Sequence, residues 1–237
     1  MAEPLPVDDP NLQLARTRFQ RIQLLWAALA AGMAILTWFT IGSSYPVAGL
    51  PWLISALLLS IMPQPALLAL AAILWALSMT YLIPGMAAIF GPDPISQILG
   101  ASAVEVFGRA AVRLVLAVAA WTHFMQYRLL YGTVRATGLP DGHRPIPALV
   151  PNWTNQLGLA TAVLGLLTVV LGLVTVAQQA GNLYVVQIGY AGAILAIGLG
   201  IGVAFSPTDR RPAALTGVVL GFVGFLLVVA VPSVVFI

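Results

Sequence analysis

The chain has no cysteine and no lysine among its 237 residues, and only two histidines, His123 and His143. Without cysteine there are no disulfides, no thiolate metal sites, no iron–sulfur ligation and no cysteine nucleophile. With only two histidines, a bis-histidine haem pair held inside the membrane is not expected, and one histidine beside one aspartate, at Asp141-Gly142-His143, is no metal site. Charge is the scarcest feature. Only 7% of residues are Asp, Glu, Lys or Arg, against about a quarter in soluble domains. Residues 22–92, 145–208 and 212–237 carry no charged side chain at all. Stretches of that length without ions belong to a solvent in which ions are costly, the lipid bilayer.

What remains is 60% hydrophobic. A globular core of this size could not cover that much apolar surface, so lipid is the expected partner. All ten basic residues are arginine, which reads more simply as the mark of a GC-rich coding sequence than as a set of anion grips. No basic stripe interleaved with aromatics is present, so nucleic acid is not an expected partner.

Residues 1–23 form a polar segment, with acids first and then Arg16, Arg18 and Arg21. The apolar run Leu24–Ile41 that follows is longer than a signal-peptide core and is expected to be an uncleaved first span. Six further spans are expected: Val47–Met62, Ala66–Phe90, Ala110–Tyr127, Gln156–Ala177, Val186–Phe205 and Ala213–Val235. The resulting fold class is an all-α polytopic membrane bundle of seven transmembrane helices, with six as the alternative because Val47–Met62 is short. The organisation divides into a first four-helix half over 24–127, an outer surface helix near 93–109, a cytoplasmic Pro-rich loop over 128–155 and a Gly-rich three-helix half over 156–237. With seven spans and the N-terminus inside, Arg16, Arg18, Arg21, Arg128, Arg135, Arg144, Arg210 and Arg211 fall on the cytoplasmic side, leaving Arg109 and Arg113 outside. Orientation follows this bias, which places the C-terminus outside and the protein in the bacterial inner (plasma) membrane. Trp26 and Trp153 are expected as inner anchors, Trp38, Tyr45 and Trp52 as outer ones, and Trp75 and Trp121 as packing residues.

In lipid, helices associate through close backbone approach. Gly158, Thr161, Gly165, Thr168, Gly172 and Thr175 repeat at steps of three and four along the fifth span, a continuous small-residue seam. Gly198 and Gly202 in the sixth span, and Gly217 and Gly221 in the seventh, extend the motif, so the last three spans are expected to form a tight unit. The Leu-, Ala- and Trp-rich first four are expected to pack more loosely.

Two polar features stand out. Glu105, Arg109 and Arg113 share one helix face at the outer end of the fourth span, as an anion or proton site or as a lipid-anchored surface helix. His123 lies about one turn from the inner end of the same span, where it could bond a neighbouring helix, titrate, or ligate a pigment. Asn152 or Thr154 is expected to cap the fifth span. There is no Gly-rich phosphate loop, HExxH, GxSxG or paired acidic motif, so no catalytic residue, metal or cofactor is expected beyond lipid and that pigment option. The reading that follows is a non-catalytic integral subunit or accessory protein of a larger bacterial membrane complex, for example an energy-converting one, with other membrane subunits as partners. A small transporter or channel is the alternative, and a pigment-binding protein or membrane enzyme comes third.

Overall fold

The computed structural model describes residues 10–41, 47–79, 103–128, 133–134, 144–145, 153–177, 183–206 and 208–235. Seven helices occur among them: α1 Pro10–Ile41, α2 Leu50–Ile61, α3 Ala66–Leu77, α4 Ala103–Tyr127, α5 Thr154–Ala177, α6 Leu183–Ala204 and α7 Arg211–Val235. Within the loop expected over 128–155, two two-residue strands pair antiparallel, β1 Thr133–Val134 with β2 Arg144–Pro145. Four helices are long and apolar enough to cross a membrane, over Gln13–Phe39, Thr154–Ala177, Tyr184–Ala204 and Arg211–Val228. The chain is thus a helical membrane-protein bundle.

Each helix lies where an apolar run was expected, but three boundaries differ. α1 starts at Pro10, a residue suited to the first helical turn, so the arginines of the polar N-terminal segment ride on the first span's own helix. The surface helix expected near 93–109 is not separate over its described part, because residues 103–109 form the first turns of α4. α3 ends at Leu77 with Ser78 as its C-cap, short of the Phe90 expected, and the rest of that expected span, with a kink expected at Pro84-Gly85, lies outside the described residues.

Successive helices run in opposite directions. Trp52, at the start of α2, meets Trp75, near the end of α3, with ring centroids 4.9 Å apart. Phe19 of α1 meets Tyr127 at the end of α4 at 5.2 Å. Asn155 at the start of α5 accepts hydrogen bonds from Thr208 Oγ1 and Asp209 N, just before α7. Arg16, Arg18, Arg21, Arg128, Arg210 and Arg211 therefore gather at one end of the bundle, and Arg109 and Arg113 belong to the opposite half of α4.

The seam on α5 is buried at all six positions. It faces α7 at backbone distance: a Cβ added to Gly217 would lie 2.5 Å from the carbonyl carbon of Thr161, and one on Gly165 would lie 2.8 Å from Gly217 O. Gly172 meets Leu227, Gly158 meets Arg210, and Gly221 meets Ala196 and Ala193 of α6. The threonine hydroxyls turn back onto their own helix, Thr161 to Gly158 O, Thr168 to Gly165 O and Thr175 to Leu171 O. Each polar group is thereby satisfied where no water competes.

Gly198 and Gly202 behave differently from expectation. They face α3, where added Cβ atoms would lie 2.6 Å from Leu70 Cδ1 and 2.5 Å from Ala66 O. These two glycines join the Gly-rich helices to the first half of the chain. Nor is that half uniformly loose: α3 is buried from Ala66 through Ala72 and again at Leu74 and Trp75. A short Ala/Leu helix without polar side chains can be enclosed on all sides, and α4, α6 and the α1–α2 pair enclose it.

Candidate functional site

The central feature is the α2–α3 hairpin. Each of its helices has 12 residues, about 18 Å at 1.5 Å per residue, well short of a ~30 Å hydrocarbon layer. The break between them, Met62-Pro63-Gln64-Pro65, is imposed by two prolines that cannot donate to a helix. Short helices leave their terminal N–H and C=O groups inside the protein, where each needs a partner.

Four long helices supply partners. At the start of α2, the backbone N–H of Val47 donates to Gln187 Oε1 of α6 at 3.1 Å. At its end, Gln23 of α1 donates from Nε2 to Leu59 O at 2.8 Å and also to Met62 O. At the tip, Thr154 of α5 donates its hydroxyl to the fully buried Gln64 Oε1 at 3.2 Å. At the end of α3, Arg113 Nη1 of α4 donates to Ser78 O at 3.1 Å. A cation there also complements the negative end of the helix dipole.

This arrangement locates the residues expected from sequence. Arg113 reaches inward to α3, while Glu105 is exposed and Arg109 half-exposed two turns and one turn earlier on α4. Thr154 does not act as the N-cap of α5; it is the first helical residue and its hydroxyl goes to the hairpin tip, while Asn152 lies outside the described residues. His123 accepts a hydrogen bond at Nδ1 from the indole Nε1 of Trp26 at 3.1 Å. The neutral ring then carries its proton on Nε2. Ligation of a pigment through Nε2 would require moving that proton to Nδ1 and breaking the Trp26 contact.

Trp26 and Trp52 therefore differ from the interfacial anchors expected of them. Trp26 is buried against α4, and Trp52 is buried against Trp75. Trp38 and Trp153 are exposed, as anchors would be. Tyr45, Asp141 and His143 lie outside the described residues.

An open apolar groove of about 310 Å³ lies where α1 extends past the start of α2, lined by Ala34, Trp38, Phe39, Val47, Leu50 and Leu53 among others. Gly49 sits tight against Ala34 O while α1 continues to Ile41, and Trp38 and Phe39 remain exposed there beside Leu50 and Leu53 of α2.

Gln23, Gln64 and Gln187 were not singled out from sequence. The available signal was their chemistry: each is an amide within an uncharged stretch, where an unpaired polar side chain is costly. Among the described residues, no group of three or more His, Asp or Glu side chains could hold a metal. Compared with protein-family models, with curated proteins and with solved structures, the chain matches none.

Proposed function

We propose that the protein is a non-catalytic integral subunit or accessory protein of a larger assembly in the plasma membrane, with its arginine-rich end in the cytoplasm. The observation that carries this reading is the use of the interior polar groups. Gln23, Gln64, Thr154, Gln187 and Arg113 hold ends of the hairpin, and the α5 threonines hold their own helix. Such polar chemistry fixes a scaffold. The outer faces of α5 and α7 present Leu159, Leu166, Leu173, Val219, Phe222 and Leu226, surface suited to lipid and to neighbouring membrane helices. The arginine distribution agrees with the positive-inside rule for seven crossings.

The test is solubilisation of native membranes in mild detergent followed by pull-down on a tagged chain. Stoichiometric co-purification of other membrane proteins is expected; quantitative recovery of the chain alone from several mild detergents would reject the assembly role.

A small transporter is the second reading, favoured by the break at Pro63-Gln64-Pro65 inside the bundle, since interrupted helices mark substrate sites in transporters. Solute flux through the purified protein in liposomes, lost on substituting Gln64, would favour it over the first.

A further inference from the structure

The contacts that hold α2 use only half of each amide involved. Gln23 donates through Nε2 to Leu59 O and Met62 O, and its Oε1 has no partner. Gln187 accepts from Val47 N through Oε1, and its Nε2 has no partner. Neither amide can be turned over, because that would set oxygen against carbonyl oxygen at Gln23 and amine against N–H at Gln187. A third orphan lies between them. Ser55 Oγ, on the buried face of α2 with Trp52, Ala56 and Leu59, also has no partner. Ser60, later in the same helix, returns its hydroxyl to Ala56 O.

These residues are 3% (Gln23), 0% (Ser55) and 9% (Gln187) exposed. They follow α2 along its length: Gln187 at Val47, Ser55 in the second turn, Gln23 at Leu59 and Met62. Buried polar atoms in native proteins that lack a protein partner are commonly satisfied by ordered water, each molecule making two to four hydrogen bonds.

We infer that buried water molecules occupy the interior along α2, held by Gln187 Nε2, Ser55 Oγ and Gln23 Oε1, and form a hydrated track beside the hairpin. The three groups supply one donor, one acceptor and one hydroxyl that can act as either. That is a set suited to water; a dehydrated cation would need several oxygens converging on one point, which an amide N–H2 and a lone hydroxyl do not supply. The inference goes beyond the assembly role and stands whether or not partner subunits are present.

Hydroxyl-radical footprinting of the full chain in lipid nanodiscs, with radicals generated by X-ray radiolysis of water, tests it. Radicals form from bound water and oxidise the side chains next to it. Leu59 is 2% exposed, and Leu67, Leu68 and Leu70 of α3 are 0% exposed, so bulk solvent reaches none of them. Oxidation of Leu59 several-fold faster than these three is expected, falling to their level in Ser55→Val. Leu59 oxidised no faster than Leu68 in the unmodified protein would overturn the track. That comparison needs no variant, so a poorly folding Ser55→Val leaves the test intact.

Discussion

At the scale of single residues, the Trp26–His123 pair shows how a polar contact inside a membrane protein differs from one in water. The buried indole N–H has one acceptor, and nothing else replaces it if that acceptor goes. His123→Leu is expected to lower stability by about 1–3 kcal/mol, the usual cost of stranding a buried donor. Trp26→Phe combined with His123→Leu should cost less than the two single changes added together. Denaturant or thermal unfolding in detergent measures both, and strict additivity would show that the hydrogen bond contributes nothing. Gln23, one turn earlier on α1, has a similar standing toward α2. Gln23→Leu removes the donor to the last carbonyls of α2 and is expected to loosen that end of the hairpin. Faster amide exchange at Met62, whose N–H bonds Leu58 O at 2.8 Å, reports it.

At the scale of elements, the glycines divide by what surrounds them. An alanine at Gly217 would drive its Cβ into the Thr161 backbone, which cannot move without carrying α5 away from α7. Overpacking of this kind costs about 1–3 kcal/mol. Gly32 of α1 has nothing within 4 Å of an added Cβ, so alanine there should be neutral or stabilising by up to about 1 kcal/mol through helix propensity. Melting temperatures in one detergent should therefore rank Gly32→Ala at or above the parent and Gly217→Ala clearly below it; the reverse order would contradict the packing. Gly202→Ala belongs with Gly217→Ala, and its effect would fall on the junction between α3 and α6, because Ala66 O is the atom it would strike.

At the scale of the whole molecule, the alternation of helix direction predicts an accessibility pattern. The absence of cysteine makes single-cysteine labelling free of background. Arg16→Cys and Arg211→Cys, both at exposed positions on the arginine-rich end, should react with a membrane-impermeant maleimide from one side; exposed Glu105→Cys should react from the other. Labelling of Arg16→Cys and Glu105→Cys from the same side would remove the seven-crossing arrangement. The hairpin gives this pattern its weight. Counted as two elements it restores the alternation on which the arginine bias depends, although each of its helices is too short to cross a full bilayer alone.

The sequence by itself determined the solvent, the helical class and the positions of the helices. Those follow from local properties: uncharged runs, proline placement and the three-four spacing of Gly158, Thr161, Gly165, Thr168, Gly172 and Thr175. It also carried the α5 seam, since periodicity along one helix says which face is small before any partner is known. Only the tertiary structure decided what the seam and the polar residues meet. Gly198 and Gly202 read as part of the C-terminal unit, yet they face α3. Trp26 and Trp52 read as interfacial anchors, yet both are packed inside. Gln23, Gln64 and Gln187 did not stand out in the sequence, yet they hold the hairpin by contacts spanning 36, 90 and 140 positions. The reason is physical. A helix in lipid satisfies its own backbone except at its ends, so the ends of short helices must be met from elsewhere in the chain. Which long helix arrives there is a property of the assembled bundle, not of any segment within it.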